Sequence, residues 1–532
     1  MSNVDGPTWA NIPIEQRLAW LLQFQRLVAA HQPRLCQLMQ EEVAKPLHVG
    51  LMADVAGLLA ACKWLHQRGP GLLRERVVAD APFWLSGLRV VERRMPVGRV
   101  GIIATWNYPV QLLGIQLIQA LLPGNTVVVK PSERSPRTQS RLMELAIEAG
   151  LPAGTLTWTG ASREAGANML ATQKLDHVIF TGSTEVGQRI AQALAKTMTP
   201  ATLELSGRDS AFVLDDADPK LAAKALWAAI TINAGQTCMA PRRALLVGGQ
   251  RTYDIFVEQL SKLAARAAPV EMIDEYAAQK CKELASKALA NGAVDVASLA
   301  KHGPAPASEG SVGDETLNRR FKPTVLVNCN PTTEAVDGRH FGPLLCVVRC
   351  VNLEEALAIH RKCDQHLTAS VFTKAEKTGH LLAERLGATN IMINDCIMPS
   401  AHPGVSIGGR GLSGMGVSRG EEGLLAMTRP MYVSTSKRGI ASLAKTPSNW
   451  QITMLGKLIR WWYGAGKAAK GASPLGGASG LPAGGVSSLG GNSAAAPTGP
   501  LPVVDDSLGT SKQILHSQQT FGSSGNRMSG AA

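Results

Sequence analysis

The string Asn233-Ala234-Gly235-Gln236-Thr237-Cys238 ends in a cysteine, and a glutamate stands between two leucines in Leu203-Glu204-Leu205. A thiol and a carboxylate on separate segments suit covalent catalysis with a later hydrolysis: the thiolate attacks a carbonyl, and the carboxylate activates the releasing water. Cys238 follows a helical pattern over 219–232 that Gly235 breaks, which turns it toward a cleft; the plain alternative is a small buried apolar residue. On a strand, the leucines flanking Glu204 face the opposite side, so the carboxylate projects alone into the cleft; the plain alternative is a surface acid on an edge strand. Asn107, in Trp106-Asn107-Tyr108-Pro109, carries an amide that suits a developing oxyanion together with the backbone N–H of Cys238, or is simply a turn asparagine. Phe180-Thr181-Gly182-Ser183-Thr184-Glu185-Val186-Gly187 reads as a strand end, a glycine turn and a helix start, an arrangement that receives a pyrophosphate.

A layered α/β fold must hold these segments. Residues 99–104, 125–130, 155–159 and 177–180 are short apolar runs of strand type, and 112–121 and 137–149 have helix character between them. This alternation predicts a doubly wound parallel sheet. Residues 211–214 open a second series that carries Cys238 and ends near Gly404, while 82–95 and 427–436 lie outside both. At the end of the 125–130 strand, Lys130-Pro131-Ser132-Glu133 leaves the sheet where dinucleotides bind in open sheets; otherwise Lys130 is a solvated strand-end lysine and Glu133 a helix-start acid.

In order and spacing these segments resemble the aldehyde dehydrogenase superfamily, from about residue 20 to about residue 436. The resemblance implies an α/β chain with a doubly wound Rossmann-type cofactor domain (1–81 and 96–206), an α/β catalytic domain (207–424) and a small β oligomerisation extension (82–95 and 425–438). A basic Trp-rich segment (439–463) and a disordered Gly/Ala/Ser/Pro-rich C-terminal tail (464–532) follow. It implies oxidation of an aldehyde to a carboxylic acid, with Cys238 as nucleophile, Glu204 as base for thioester hydrolysis and Asn107 as oxyanion donor. Retention of Glu204 favours water over coenzyme A as the acyl acceptor. Lys130, Ser132, Glu133, Gly182, Ser183, Gly187, Trp106 and Phe341 are the implied cofactor-binding residues, and no metal is expected. Because a carboxylate at Glu133 repels a 2′-phosphate, NAD is expected before NADP. Tyr108, Thr237 and Met239 are candidate aldehyde-lining residues. The short portion before Asn107 is similar to the class 3 and coniferyl-aldehyde branches, which hints at apolar or aromatic aldehydes and a homodimer.

Four positions depart from the family pattern. Arg339 in Val336-Asp337-Gly338-Arg339-His340-Phe341 stands where a glutamate usually holds the nicotinamide ribose, and an arginine has no acceptor for hydroxyl protons. Asp337 is the alternative acceptor, or Arg339 meets a cofactor phosphate. Thr105 replaces a proline, Ser206 a glycine and Ile407 a phenylalanine. These changes keep a second reading open, a catalytically impaired scaffold or tether, and a third, a cofactor-independent thiol esterase.

A chain of 532 residues with 45% hydrophobic and 18% charged residues has the composition of a multidomain globular protein. Its nine cysteines include no CxxC pair, which argues against structural zinc or a disulfide framework and for a reducing, cytoplasmic setting. No apolar run of membrane-spanning length is evident, and Asp5, Glu15 and Arg17 argue against a secretory signal. The net charge of +13 is uneven: Lys437, Arg438, Lys445, Lys457, Arg460, Lys467 and Lys470 occur in a stretch without acids. With Trp450, Trp461, Trp462 and Tyr463, residues 437–470 suit either a helix at a membrane surface or one docked on protein. No nucleic-acid motif accompanies the charge.

Overall fold

The computed structural model describes residues 8–79, 81–82, 85, 87–300, 318–436 and 446–464. The chain divides into two compact units, Met1–Ala444 and Lys445–Ala532.

Within the first unit, a six-stranded sheet runs in the order Gly414–Met415, Ala201–Leu205, His177–Gly182, Arg99–Ile103, Thr126–Lys130, Leu156–Trp158. All pairs are parallel except Gly414–Met415 with Ala201–Leu205. Strands such as Thr126–Lys130 are apolar at their centre, Val127 to Val129, and buried there, as a sheet covered by helices on both faces requires. The chain winds outward from Arg99–Ile103 in one direction, then returns to its other side as His177–Gly182. Ligands of open α/β sheets bind at such a reversal, beyond the carboxyl ends of the two central strands. Here those ends lead into 104–110 and 183–187.

The helix Gln111–Leu121 that leaves the first of these ends is buried along its whole length. Its N-terminal donors are met by Asp54 Oδ1, which accepts from the backbone N–H of Val110 at 3.1 Å and of Gln111 at 3.2 Å. Asp54 is ion-paired with Lys45, and Lys45 Nζ donates to the Asn107 carbonyl at 2.7 Å. A buried charge pair therefore anchors the loop that presents Asn107.

A seven-stranded sheet carries the second series, in the order Val294–Asp295, Thr324–Val327, Leu344–Arg349, Arg243–Val247, Ser210–Leu214, Thr368–Phe372, Asn390–Ile393. A third, antiparallel sheet pairs Leu88–Pro96 with Thr428–Ser436 from Leu88↔Ser436 to Pro96↔Thr428.

Two strands cross the divisions read from sequence. Arg76–Val78 joins the antiparallel sheet beside Leu88–Pro96, although it precedes residue 82. Gly414–Met415 returns to the cofactor-side sheet from within the 207–424 range. The continuous helical segment Leu47–Leu73 is also long and apolar enough, by length and composition alone, to cross a membrane, unlike the expectation above. Leu58, Ala61, Cys62 and Leu65 on it are buried in the core.

In the second unit the described part is the helix Asn449–Ile459 followed by a wider turn, Arg460–Gly464. Ser448 and Gln451 form a capping box at its start, which satisfies two backbone donors. Lys457 and Arg460 lie in this segment. Lys437, Arg438, Lys445, Lys467, Lys470 and residues 465–532 of the expected tail lie outside the described residues.

Candidate active site

The helix Pro219–Thr231 ends where the chain turns through three consecutive left-handed residues, Asn233 (φ 53°), Ala234 (φ 54°) and Gly235 (φ 66°). A side chain at Gly235 has no room: a Cβ there lies 2.6 Å from the backbone carbon of Gly342. This bend carries Cys238 away from the helix axis and onto the cavity wall. Fully buried Arg242 fixes the bend, donating to the carbonyls of Gly235 (3.1 Å), Gly342 (3.0 Å) and Thr237 (2.9 Å). Tyr108 Oη and Thr237 Oγ1 share a hydrogen bond of 2.6 Å, and Asn233 Nδ2 donates to the Asn107 carbonyl at 2.9 Å.

Asn107 is therefore joined to the cysteine segment from both its backbone and its side chain. Its Nδ2 donates to the Gln236 carbonyl at 3.2 Å, and its Oδ1 accepts from Thr105 Oγ1 at 3.1 Å. Thr105, the departure from the usual proline, thus fixes which way the amide faces.

Glu204 lies near the end of Ala201–Leu205, separated from Arg99–Ile103 by the strand His177–Gly182; it is buried, and its Oε1 has no hydrogen-bond partner among the described residues. Burial pushes its carboxyl up to about 7, while Arg419 and a hydrogen bond from Thr181 act in the opposite direction. Thr181 is its register neighbour on the adjoining strand and accepts from Gln116 Nε2 at 3.0 Å. The Cys238 thiol is pushed up to about 12, chiefly by burial and then by Glu204 and Asp209; Arg419 and Arg242 oppose the rise.

A cavity of about 450 Å³ brings these groups together. Cys238, Glu204, Asn107, Trp106, Gly182, Ser183 and Phe341 all line it. Trp106 and Phe341 meet edge to face with ring centroids 5.9 Å apart. Lys130, Ser132, Glu133 and Gly187 do not line it. Lys130 and Glu133 form an ion pair of 3.1 Å where the Thr126–Lys130 strand ends, and Arg163 lies 3.8 Å from the other Glu133 oxygen. Ser132 is turned into its own loop: its N–H donates to Gln139 Oε1 and its Oγ accepts from the Arg134 N–H. Gly187 serves helix–strand packing, since a Cβ there falls 2.5 Å from Leu205 Cδ2.

Fit to a dinucleotide rests on two parts of this arrangement. The helix Thr184–Ala195 opens toward the cavity, with Ser183 as its cap accepting from the Val186 N–H at 3.3 Å. Its remaining first-turn donors suit a pyrophosphate. At the strand end, the Lys130–Glu133 pair offers a donor and an acceptor for vicinal hydroxyls. Arg339 is the poor fit. It lines the cavity but donates to Asp337 Oδ2 at 2.6 Å, and Arg208 occupies the same oxygen at 3.1 Å. Asp337 is thereby engaged by two arginines.

Sequence reading missed Arg242 and Arg419, both buried. Arg242 had a signal: paired arginines at the mouth of the apolar strand Arg243–Val247 are costly unless their donors are used. Arg419 had none, because Glu204 is distant in sequence.

The aldehyde dehydrogenase family model matches residues 3–433. The chain belongs to the aldehyde dehydrogenase family. It is similar to 4,4'-diapolycopene aldehyde oxidase of Methylomonas sp, 29% identical over 450 residues, covering 83% of this chain and 81% of that protein. Among solved structures, a putative aldehyde dehydrogenase from Burkholderia cenocepacia superposes with a TM-score of 0.72 at 29% identity, covering 81% of this chain and 89% of that one. The NAD+ complex of the Bacillus cereus aldehyde dehydrogenase gives 0.73 at 25% identity, covering 82% and 87%. The family reading from sequence thus stands, and the chain is an NAD(P)-dependent aldehyde dehydrogenase that oxidises an aldehyde to the acid.

Proposed function

We propose that this aldehyde dehydrogenase is of the non-acylating kind, prefers NAD and takes apolar aldehydes, with Cys238 as nucleophile and Glu204 as the base of hydrolysis. One observation carries the reading: Cys238 and a buried Glu204 with a free carboxyl oxygen line the same cavity. The thiol releases its proton to solvent in the cavity, which leaves Glu204 free for the later step, and the thiolate adds to the aldehyde carbon. Asn107 and the Cys238 backbone N–H receive the oxyanion of the thiohemiacetal. NAD, which Ser183 and the start of the Thr184–Ala195 helix would hold at its pyrophosphate, would supply the hydride acceptor for this oxidation. Glu204 then takes a proton from the water that attacks the thioester, and Cys238 leaves as thiolate.

Apolar substrates are supported by the 4,4'-diapolycopene aldehyde in the name of the Methylomonas relative. Comparing kcat/KM across short, long-chain and aromatic aldehydes with NAD tests this; a preference for short polar aldehydes contradicts it.

The homodimer reading is supported by the Thr428–Ser436 strand, which exposes Met431, Tyr432 and Val433. Nine free cysteines support a reducing, cytoplasmic setting. Membrane association is supported by Trp450, Lys457, Arg460, Trp461 and Trp462 on one short helical segment. Co-sedimentation of the full chain with phosphatidylserine vesicles, lost on K457E/R460E, tests it; equal recovery with neutral vesicles contradicts an electrostatic contribution.

A further inference from the structure

The Lys45 side chain is fully buried, at 0% exposure. A buried ammonium is costly and is retained where its donors are used. The chain brings it inward through Ala44, at φ 53° and ψ 26°, a left-handed conformation uncommon outside glycine. The ammonium meets three groups: Asp54 is its ion pair, the Asn107 carbonyl accepts from it at 2.7 Å, and the centroid of the Tyr108 ring lies 4.0 Å away. Asp54 balances the charge. The other two contacts fall on consecutive residues, and each of those residues reaches on to the cysteine segment. Asn107 Nδ2 donates to the Gln236 carbonyl at 3.2 Å, and Tyr108 Oη shares its hydrogen bond of 2.6 Å with Thr237 Oγ1. Asn233 Nδ2 ties the two segments again, donating to the Asn107 carbonyl at 2.9 Å and to the Gln236 carbonyl at 3.2 Å. Capping the helix Gln111–Leu121 needs only Asp54, so the ammonium's hold on Asn107 and Tyr108 calls for a purpose of its own.

We propose that Lys45 is the positioning residue for the oxyanion pocket, its ammonium setting the distance between the Asn107 amide and Cys238. The proposal rests on Asn107 and Cys238 having the roles given above. Asn107 is fixed at three atoms: Oδ1 accepts from Thr105 Oγ1, the carbonyl oxygen is held by Lys45, and one Nδ2 proton is engaged by Gln236. An amide nitrogen carries two protons, so one remains, and Asn107 lines the cavity together with Cys238. Where that proton points depends on where the loop backbone sits, and Lys45 holds the backbone from behind. Tyr108, with its ring against the ammonium, carries the same restraint to Thr237, the residue before Cys238. A misplacement of about 1 Å between such groups costs about 10²-fold in rate.

The test compares two reactions of Cys238 without NAD, one that forms an oxyanion and one that does not, each read on the Cys238 peptide by mass spectrometry. In acylation by p-nitrophenyl acetate the sulfur bonds to the carbonyl carbon, p-nitrophenolate leaves and the thiol proton goes to solvent; the tetrahedral intermediate carries an oxyanion. Alkylation by iodoacetamide displaces iodide directly and forms none. The variants are N107A, K45M/D54N and K45Q/D54N. The last two replace both charges with neutral groups, so no unpaired charge is buried, and the asparagine carbonyl oxygen still accepts from Val110 and Gln111. N107A is expected to lower acylation by about 10²–10³ and to leave alkylation unchanged. K45M/D54N lowers acylation by about 10²-fold, again with alkylation unchanged. K45Q/D54N keeps a donor toward the Asn107 carbonyl and falls between wild type and N107A; it carries the comparison if K45M/D54N does not fold. Adding N107A to K45M/D54N lowers acylation no further than N107A alone. Undiminished acylation in the Lys45 variants, equal falls in both reactions, or additive losses in the combined variant overturn the role of Lys45 alone. Full acylation in N107A overturns the oxyanion assignment and this proposal with it.

Discussion

Arg242 donates to the Thr237 carbonyl at 2.9 Å, one residue before the cysteine, from a position with no solvent exposure. The same guanidinium holds Gly235 and Gly342, so a single buried cation ties the cysteine bend to the loop that carries Phe341. Replacing it with methionine leaves three buried carbonyls without their donor. The expected loss is about 3 kcal/mol in denaturant unfolding, with oxidation falling further than stability accounts for because Cys238 loses its registration. Unchanged stability in R242M contradicts the clamp.

Glu204→Gln removes the acceptor for the water proton. Rates of thioester hydrolysis are expected to fall by about 10²–10⁴, measured as slow turnover after a burst of NADH. The sign of its stability effect is opposite. Burial raises the carboxyl above its ordinary value, so the folded state binds a proton that the unfolded state has released between about pH 4.5 and 7. Stability therefore declines as pH rises through this window, and E204Q is expected to be more stable than wild type at pH 8 by about 2 kcal/mol. Equal stability at pH 8 contradicts the buried, raised acid.

Glu133 meets Lys130 at 3.1 Å, leaving a carboxylate where an adenosine ribose is expected. Wild type is predicted to favour NAD over NADP in kcat/KM. Glu133→Gln narrows the ratio by about tenfold, by removing repulsion of a 2′-phosphate. A wild-type preference for NADP refutes the assignment.

Arg339 and Arg208 both hold Asp337 Oδ2, so one oxygen of this loop's carboxylate is already engaged where ribose hydroxyls are expected. Arg339→Glu supplies an acceptor and releases Asp337 from one arginine. Its NAD dissociation constant is expected to fall by about fivefold, the scale of one added hydrogen bond, read by quenching of Trp106 fluorescence. Weaker NAD binding in R339E places Arg339 on a cofactor phosphate instead.

The strand and helix series were legible because each apolar run is continuous and closes on a turn. Thus residues 125–130 became Thr126–Lys130, and 137–149 became Pro136–Glu148. Cys238, Glu204 and Asn107 were legible as segments, and the fold brings all three to one cavity. What failed to show was long-range. The antiparallel return of Gly414–Met415 is only two residues long, too short for any periodicity to mark it. Arg419 shares no local pattern with Glu204, and the Lys45–Asp54 pair under Asn107 is spaced like an ordinary surface pair. Gly187 was legible as a glycine required for close approach, but what approaches it is Leu205.

The most direct test of the covalent account is mass spectrometry of E204Q mixed with NAD and an aldehyde that wild type oxidises. The account predicts one acyl group per chain, on the Cys238 peptide, formed together with one equivalent of NADH and absent in C238A/E204Q. An unmodified Cys238 after that burst, or aldehyde oxidation that survives in C238A, contradicts it.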